Sequence, residues 1–175
     1  GYGAFAHDQR RREGSPAWQR ASAWWRRHLD GLPDRLELHR SAGDLALSSS
    51  FEGEDLIVDI DRDAWQALCA AASGRNATPF MAGLALVAAA LHRLSGSCDI
   101  LVGTPFDNRS GSAFRKVVGY FSNTLPLRIR FDRDPDFATL LGAVRAEVLD
   151  VGDVQDYPLE LLVRDVAPTR RSADV

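Results

Sequence analysis

The run from Pro79 to Leu94 constrains this chain most. It is apolar on nearly every side of a helix, with Phe80, Met81, Leu84, Leu86, Val87 and Leu91 set among alanines. Thr78-Pro79 supplies a cap residue followed by a proline at the first helical position, and Ser95-Gly96-Ser97 ends the run. Close behind comes Ile100-Leu101-Val102-Gly103-Thr104, a continuous apolar stretch of the kind that forms strands covered on both faces. A helix without a polar face, followed by a strand without one, predicts a layered α/β or α+β domain that buries both.

The flanking segments fit that plan. Ser15-Pro16 reads as another cap-plus-proline start, with Trp18, Ala21, Trp25, His28 or Leu29, and Leu32 at helical spacing until Gly31 and Pro33 stop it. Three tryptophans on one short amphipathic helix point to core packing rather than a ligand cage. Residues 41–54, rich in Ser, Gly and acids, suggest a loop or edge segment. Leu56 to Ile60 reads as a strand. Asp61 or Asp63 can cap a helix running to about Ser73, with Gly74 ending it. Leu125, Leu127, Ile129 and Phe131 alternate with Pro126, Arg128 and Arg130, the pattern of a half-buried strand, and Pro126 hints at a sheet edge or entry. Asp134-Pro135-Asp136 opens a helix carrying Phe137, Leu140, Leu141, Val144, Val148 and Leu149, and Tyr157-Pro158 opens a last short one. The expected order is helix, strand, helix, helix, strand, strand, helix, helix, with helices covering one sheet.

Composition narrows the function classes. The 175 residues suit one domain, and 45% hydrophobic with 26% charged residues is globular rather than disordered. A net charge of −3 argues against a nucleic-acid partner. No apolar run reaches the roughly 18 residues that a membrane span needs, and the first residues carry no signal pattern. Cys69 and Cys98 have no neighbour at metal-ligand spacing and read as buried small hydrophobes in a reducing, cytoplasmic compartment. The first forty residues hold eight Arg against five acids, and Arg10-Arg11-Arg12 reads as a solvated face or linker.

No self-contained active site emerges. His7, His28, His39 and His92 are far apart, and none stands beside a second histidine. There is no nucleophile-elbow pattern and no phosphate-cradling glycine loop. What stands out is polar groups placed where local structure breaks. Asp107-Asn108-Arg109 follows the apolar strand, where ligand crevices of α/β sheets often lie, or else forms a turn. Gly119, Phe121 and Asn123 lie in VVGYFSNTLPLR (117–128), where Gly119 permits unusual torsions and Asn123 could turn its amide into a cavity. VQDYPLELLV (154–163) holds Gln155, Asp156 and Pro158 at a helix entry, with Asp156 the candidate N-cap.

Those three stretches, in that order, resemble the condensation domains of nonribosomal peptide synthetases. VVGYFSNTLPLR is similar to the family's VGxFxNTxxLR motif, and VQDYPLELLV to its HQDxPFExLV motif, with Val154 where His is usual and Leu159 where Phe is usual. The segment Gly74–Arg109 resembles the family's ATPFM, LxRxSG-like and DIxxGxPxxNR run; WWRRHLDGLP (24–33) resembles WWxxxLxGxP; Tyr2–Arg11 loosely occupies the place of YxDFAxWQ. The resemblance covers nearly the whole chain. It implies a chloramphenicol-acetyltransferase-like fold of two lobes facing across a tunnel, with residues 1–175 forming a C-terminal lobe, truncated at both ends, of helices on a mixed sheet, and 1–14 a linker or inter-lobe segment.

The implied reaction is amide formation between an acceptor amine and an acyl or aminoacyl thioester, each carried on the phosphopantetheine of a carrier domain. The implied partners are the N-terminal lobe of the same domain and the upstream and downstream carrier domains. No directly bound cofactor and no metal is implied. The family's HHxxxDG motif belongs to the first lobe and has no copy here, so no catalytic residue is expected in this chain and the fragment alone is expected to be inactive. By the same resemblance Gly119, Phe121, Asn123, Asp107, Asn108 and Arg109 would line the tunnel or join the lobes, whereas Gln155, Asp156 and Pro158 would be structural. Ser122-Asn123-Thr124 favours ordinary condensation over an epimerising relative. A heterocyclising relative, and a catalytically inactive condensation-like domain that recruits partner proteins, stay open. On this reading Asn123→Ala lowers condensation more than stability, and Gly119→Val damages folding if Gly119 uses positive φ.

Overall fold

The computed structural model describes residues 1–33, 36–38, 55–109 and 112–166. Helix α1 spans Tyr2–Arg12, α2 Pro16–His28, α3 Arg62–Ser73, α4 Pro79–Ser95, α5 Phe137–Asp153 and α6 Leu159–Val166, with strands β1 at Asp99–Asp107 and β2 at Ser122–Arg130. A 3-10 turn at Ser112–Phe114 lies between the strands. The expected loop at 41–54 and His39 fall outside the described residues.

The helix starts follow from their caps. Ser15 Oγ accepts the Trp18 N–H, Asp61 Oδ1 the Ala64 N–H, Thr78 Oγ1 the Met81 N–H and Asp136 Oδ1 the Thr139 N–H, each satisfying a first-turn donor that has no partner within its helix. Prolines follow the caps of α2 and α4. Gly96 stops α4 at φ 71° and Gly31 follows α2 at φ 65°, backbone positions where a side chain would be strained.

The chain divides into two compact units. One comprises Gly1–Pro33, Leu101–Arg128 and Glu147–Val175; the other Asp34–Ile100 and Ile129–Ala146. In the first unit α2 packs on α6, and Trp18, Ala21, Trp25 and Leu29 are buried, as their spacing predicted. Residues 2–12, expected to be linker or inter-lobe segment, are helical, and Phe5 is buried. In the second unit α3 packs on α4, His92 stacks on Phe131 at 4.3 Å, and the Arg145 Nε donates to the Asn76 carbonyl at 2.8 Å.

β1 and β2 pair in a two-stranded sheet. The Phe131 N–H reaches the Cys98 carbonyl, and Gly103 lies against the Thr124 methyl, so the strands run antiparallel. The sheet is therefore antiparallel over the described residues rather than mixed. β2 buries Leu125, Leu127 and Ile129, with Phe131 just beyond, as the alternation predicted.

Four expectations fail for physical reasons. β1 is not covered on both faces: Ile100 and Thr104 are buried while Leu101 is exposed. α4 is not buried all round: Met81, Ala82, Leu84, Ala85 and Ala88 face the core, and Phe80, Leu86, Val87 and Leu94 face out. Residues 55–60 form no regular element and pair with no strand among the described residues, and Leu56, Ile57, Val58 and Ile60 are exposed. A strand sequence has no ladder without a neighbour to supply one. Cys69 is half-buried and Cys98 exposed, not core.

Candidate functional site

The motif residues gather in the first unit around β2. Asn123 is buried, and its side chain binds the helix-entry motif through three hydrogen bonds. Nδ2 donates to the Gln155 and Tyr157 carbonyls, both at 2.8 Å, and Oδ1 accepts the Leu159 N–H at 3.1 Å. Leu159 is the first residue of α6, and Pro158 before it has no side-chain oxygen to cap with. Asn123 therefore acts as the cap of a helix that begins 36 residues later in the chain. Asp156, the expected cap, is instead paired with Arg12 Nη1 of α1 at 2.9 Å, while Arg12 Nε holds Asp8 at 2.9 Å. Gln155 Nε2 donates to the Gly152 carbonyl and closes the end of α5.

The other end of β2 repeats the device. Arg128, expected among the outward residues of the alternation, is buried. Its Nη1 donates to the carbonyls of His28 and Asp30, at 2.7 and 2.8 Å, where α2 ends. A cation there satisfies acceptors that the helix cannot and meets the negative end of its dipole. The Arg128 N–H donates to Glu147 Oε1 at 2.6 Å, which also bonds His28 Nε2 at 2.8 Å, and His28 stacks on Trp24. One strand thus fixes the start of α6 with a side-chain amide and the end of α2 with a guanidinium.

Arg109 organises the segment between the strands. Its Nη1 donates to the Phe114 and Val117 carbonyls at 2.9 and 2.7 Å, its Nε lies 3.4 Å from the exposed Asp107 carboxylate, and its guanidinium sits 4.1 Å over the Phe121 ring. Phe121 packs with Phe5, Tyr2 and Phe114 in an aromatic cluster. Arg109 therefore folds this loop over the cluster through both hydrogen bonds and a cation–π contact. Asn108 beside it is buried with Oδ1 unpartnered among the described residues. Val118 and Tyr120 stand in solvent.

Gly119 is required for space, not for torsion. Its φ is not positive, but a Cβ there would run into Tyr2 Cδ2 and stand 2.9 Å from Tyr2 Cγ. Gly119→Ala is expected to cost about 1–3 kcal/mol through overpacking. The check is a double-mutant cycle with Tyr2→Ala. If the ring is the obstacle, most of the Gly119→Ala penalty vanishes in the Tyr2→Ala background; an unchanged penalty would locate the cost elsewhere.

A crevice of about 370 Å³ opens along α2 and α6, lined by Trp18, Ser22, Arg26, Tyr157, Arg164 and Asp165 among others. The Ser22 and Tyr157 hydroxyls each donate to Asp165 Oδ2 at 2.6 Å. Burial by itself raises the Asp165 pKa, but the Ser22 and Tyr157 hydrogen bonds, with Arg26 and Arg164, hold it below its ordinary 3.8. Burial and the Asp165 carboxylate push the Tyr157 phenol above 10.0. The signs differ. Asp165 contributes stability that is present above its unfolded pKa and is lost as pH falls through its lower folded one. Tyr157 contributes stability that is present below pH 10 and is lost as pH rises through its higher folded value. Tyr157→Phe is expected to flatten the alkaline limb of a melting-temperature profile, and Asp165→Asn the acid limb. Parallel profiles for either variant and the parent would contradict that assignment.

None of Asp107, Asn108, Arg109, Gly119, Phe121 and Asn123 lines that crevice. Among the described residues no cluster of His, Cys, Asp or Glu is arranged to hold a metal ion, and no helix is long and apolar enough to cross a membrane. Sequence reading missed Arg128, whose place in an alternating strand looked outward, and the Ser22–Tyr157–Asp165 triad, whose members are dispersed along the chain.

Comparison with known proteins agrees with this arrangement. A family model described as Condensation domain matches residues 1–174. The chain is 42% identical over 148 residues, 85% of its length, to an isonitrile lipopeptide synthase of Mycobacterium tuberculosis. It is 34% identical over 171 residues, 98% of its length, to the phosphinothricin tripeptide synthetase PhsC of Streptomyces viridochromogenes. It spans 6% and 16% of those two relatives. The solved first condensation domain of the CDA synthetase superposes with a TM-score of 0.75 at 24% identity, over 92% of this chain and 35% of that one, a likeness of fold. The motifs, the helices on a small antiparallel sheet and the family match over residues 1–174 place this chain in the condensation-domain family.

Proposed function

We propose that this chain is part of a nonribosomal peptide synthetase condensation domain that joins two carrier-tethered substrates through an amide bond. The observation carrying the reading is the family match over residues 1–174, together with its relatives in peptide synthetases. The acceptor amine attacks the carbonyl of the donor thioester. The C–S bond breaks, an amide C–N bond forms, and the donor carrier's pantetheine leaves as a thiol. The protein's part in such a step is to hold two tethered groups at high effective concentration and to stabilise developing charge.

No two histidines are adjacent in these 175 residues. The imidazole that handles the amine proton is therefore assigned to the N-terminal lobe, and residues 1–175 to the C-terminal one. Here Asn123 is a positioning residue, acting through the 155–159 turn rather than on substrate. Gly119, Phe121 and the Asp107–Arg109 segment shape the loop that would face the tunnel or the other lobe. Gln155, Asp156 and Pro158 are structural. The partners are that lobe and the flanking carrier domains, with phosphopantetheine as substrate tether. We place the parent in the reducing cytoplasm, in keeping with unpaired Cys69 and Cys98.

The test supplies donor- and acceptor-loaded carrier domains to the intact condensation domain and to the 175-residue chain. Amide product from the intact domain only is expected. Product from the chain alone would overturn the assignment of the imidazole to the other lobe, and no product from the intact domain with its cognate carriers would overturn condensation.

A further inference from the structure

Helix α1 does more than join segments. Tyr2, in its first turn, lays its ring against the backbone at Gly119, so closely that a Cβ there would stand 2.9 Å from Tyr2 Cγ. The same ring meets Phe121 edge-on, with centroids 5.2 Å apart and planes at 84°. Phe5, about one turn on, reaches Phe121 at 4.7 Å and Phe114 at 5.5 Å. At the other end of α1, Arg12 pairs with Asp156 at 2.9 Å, beside the Gln155 and Tyr157 carbonyls that Asn123 ties to β2. An ion pair thus anchors one end of the helix, and aromatic rings pack its other end on the Gly119–Phe121 segment. All of these residues belong to the first unit.

That segment has little of its own to hold it. Residues 115–121 lie between the 3-10 turn and β2 and form no helix or strand. The Val117 N–H donates to the Phe114 carbonyl at 3.1 Å, but among the described residues no backbone–backbone hydrogen bond reaches 118–120. Packing must therefore set Gly119 and Phe121. The Tyr2 ring meets Phe121 at its edge, and the Arg109 guanidinium sits over the Phe121 face at 4.1 Å. Contact runs from Tyr2 through Phe121 to Arg109, whose Nη1 holds the Phe114 and Val117 carbonyls. The Tyr2 hydroxyl bonds no described residue, so the shape of the ring carries the effect. The helix terminations made by Asn123 and Arg128 do not involve Tyr2. Trimming the ring therefore frees the segment and leaves those anchors in place.

We propose that Tyr2 is a positioning residue for amide formation, holding Gly119, Phe121 and, through Phe121, Arg109 in the arrangement that the reaction uses. The inference rests on the condensation reading and deepens it. Displacing a positioned group by about 1 Å costs on the order of 100-fold in rate. The test uses the intact condensation domain with its cognate loaded carriers, with rates taken per folded molecule. Tyr2→Ala is expected to lower kcat at least about tenfold with KM for both carriers near the parent's, and Tyr2→Phe to keep the parent's rate. Amide hydrogen exchange across 114–121 is expected to quicken in Tyr2→Ala and to match the parent across 125–130. Tyr2→Leu, a branched chain in place of a flat ring, carries the same expectations should the alanine variant not fold. A Tyr2→Ala kcat within about twofold of the parent's overturns the proposal, as does a loss confined to KM, an equal loss in Tyr2→Phe, or unchanged exchange across 114–121. A parent that makes no amide marks the failure of the condensation reading instead; the exchange comparison, which needs no turnover, then decides whether Tyr2 holds the segment.

Discussion

Asn123→Ala is expected to lower the stability of the intact condensation domain by about 3 kcal/mol, because it leaves the buried Gln155 and Tyr157 carbonyls and the Leu159 N–H without their partner. The effect reverses the ranking that the motif alone suggests. A polar amide in an apolar motif looks reserved for substrate, yet both ends of this one are engaged by main chain. Amide formation per folded molecule is expected to fall less than the folded fraction does. Thermal melts with activity normalised to folded protein check this. A variant that melts with the parent but makes no product would return Asn123 to the substrate.

Arg128→Met is expected to cost about 2–4 kcal/mol. The methionine keeps much of the apolar stem but leaves the His28 and Asp30 carbonyls without their cationic donor at the end of α2. Arg128→Lys is expected to recover only part of the loss, since an ammonium is a point donor without the guanidinium's planar fork. Denaturant unfolding measures both, and hydrogen exchange locates the damage in the last turn of α2. A loss below about 0.5 kcal/mol would show that water replaces the guanidinium at no cost.

These two variants test one idea. β2 places a polar residue near each end, and each terminates a helix that lacks its own means of doing so. α6 starts after Pro158, with no cap oxygen in the preceding residue, and α2 ends with carbonyls that its own backbone cannot satisfy. The helices packed on each other in the first unit are thus referenced to the same strand.

The comparison between sequence and structure turns on range. The caps Ser15 and Thr78 were legible, as were Asp61 as one of two candidates and Asp136 within the Asp134–Asp136 start, because a cap bonds an N–H only a few residues away. The core faces of α2 and β2 were legible because periodicity reports which side is wet. The family was legible because its motifs are short and lie in order. Asp156 was misread because local pattern makes an acid before a helix its cap, whereas Arg12, 144 residues away in the chain, claims its carboxylate. Arg128 was misread because alternation marks a face and does not say whether a helix end waits on it.

By itself the sequence determined where α2, α3, α4 and α5 begin, which residues of α2 and β2 form the core, and to which family the chain belongs, since each of these is written in neighbours a few residues apart. Only the tertiary structure decided that Asn123 and Arg128 terminate helices, that Gly119 is needed for the Tyr2 ring rather than for its torsion, and that Leu56–Ile60 pairs with no strand among the described residues. Those outcomes depend on which distant groups arrive at hydrogen-bonding or van der Waals distance, and no local pattern encodes an arrival.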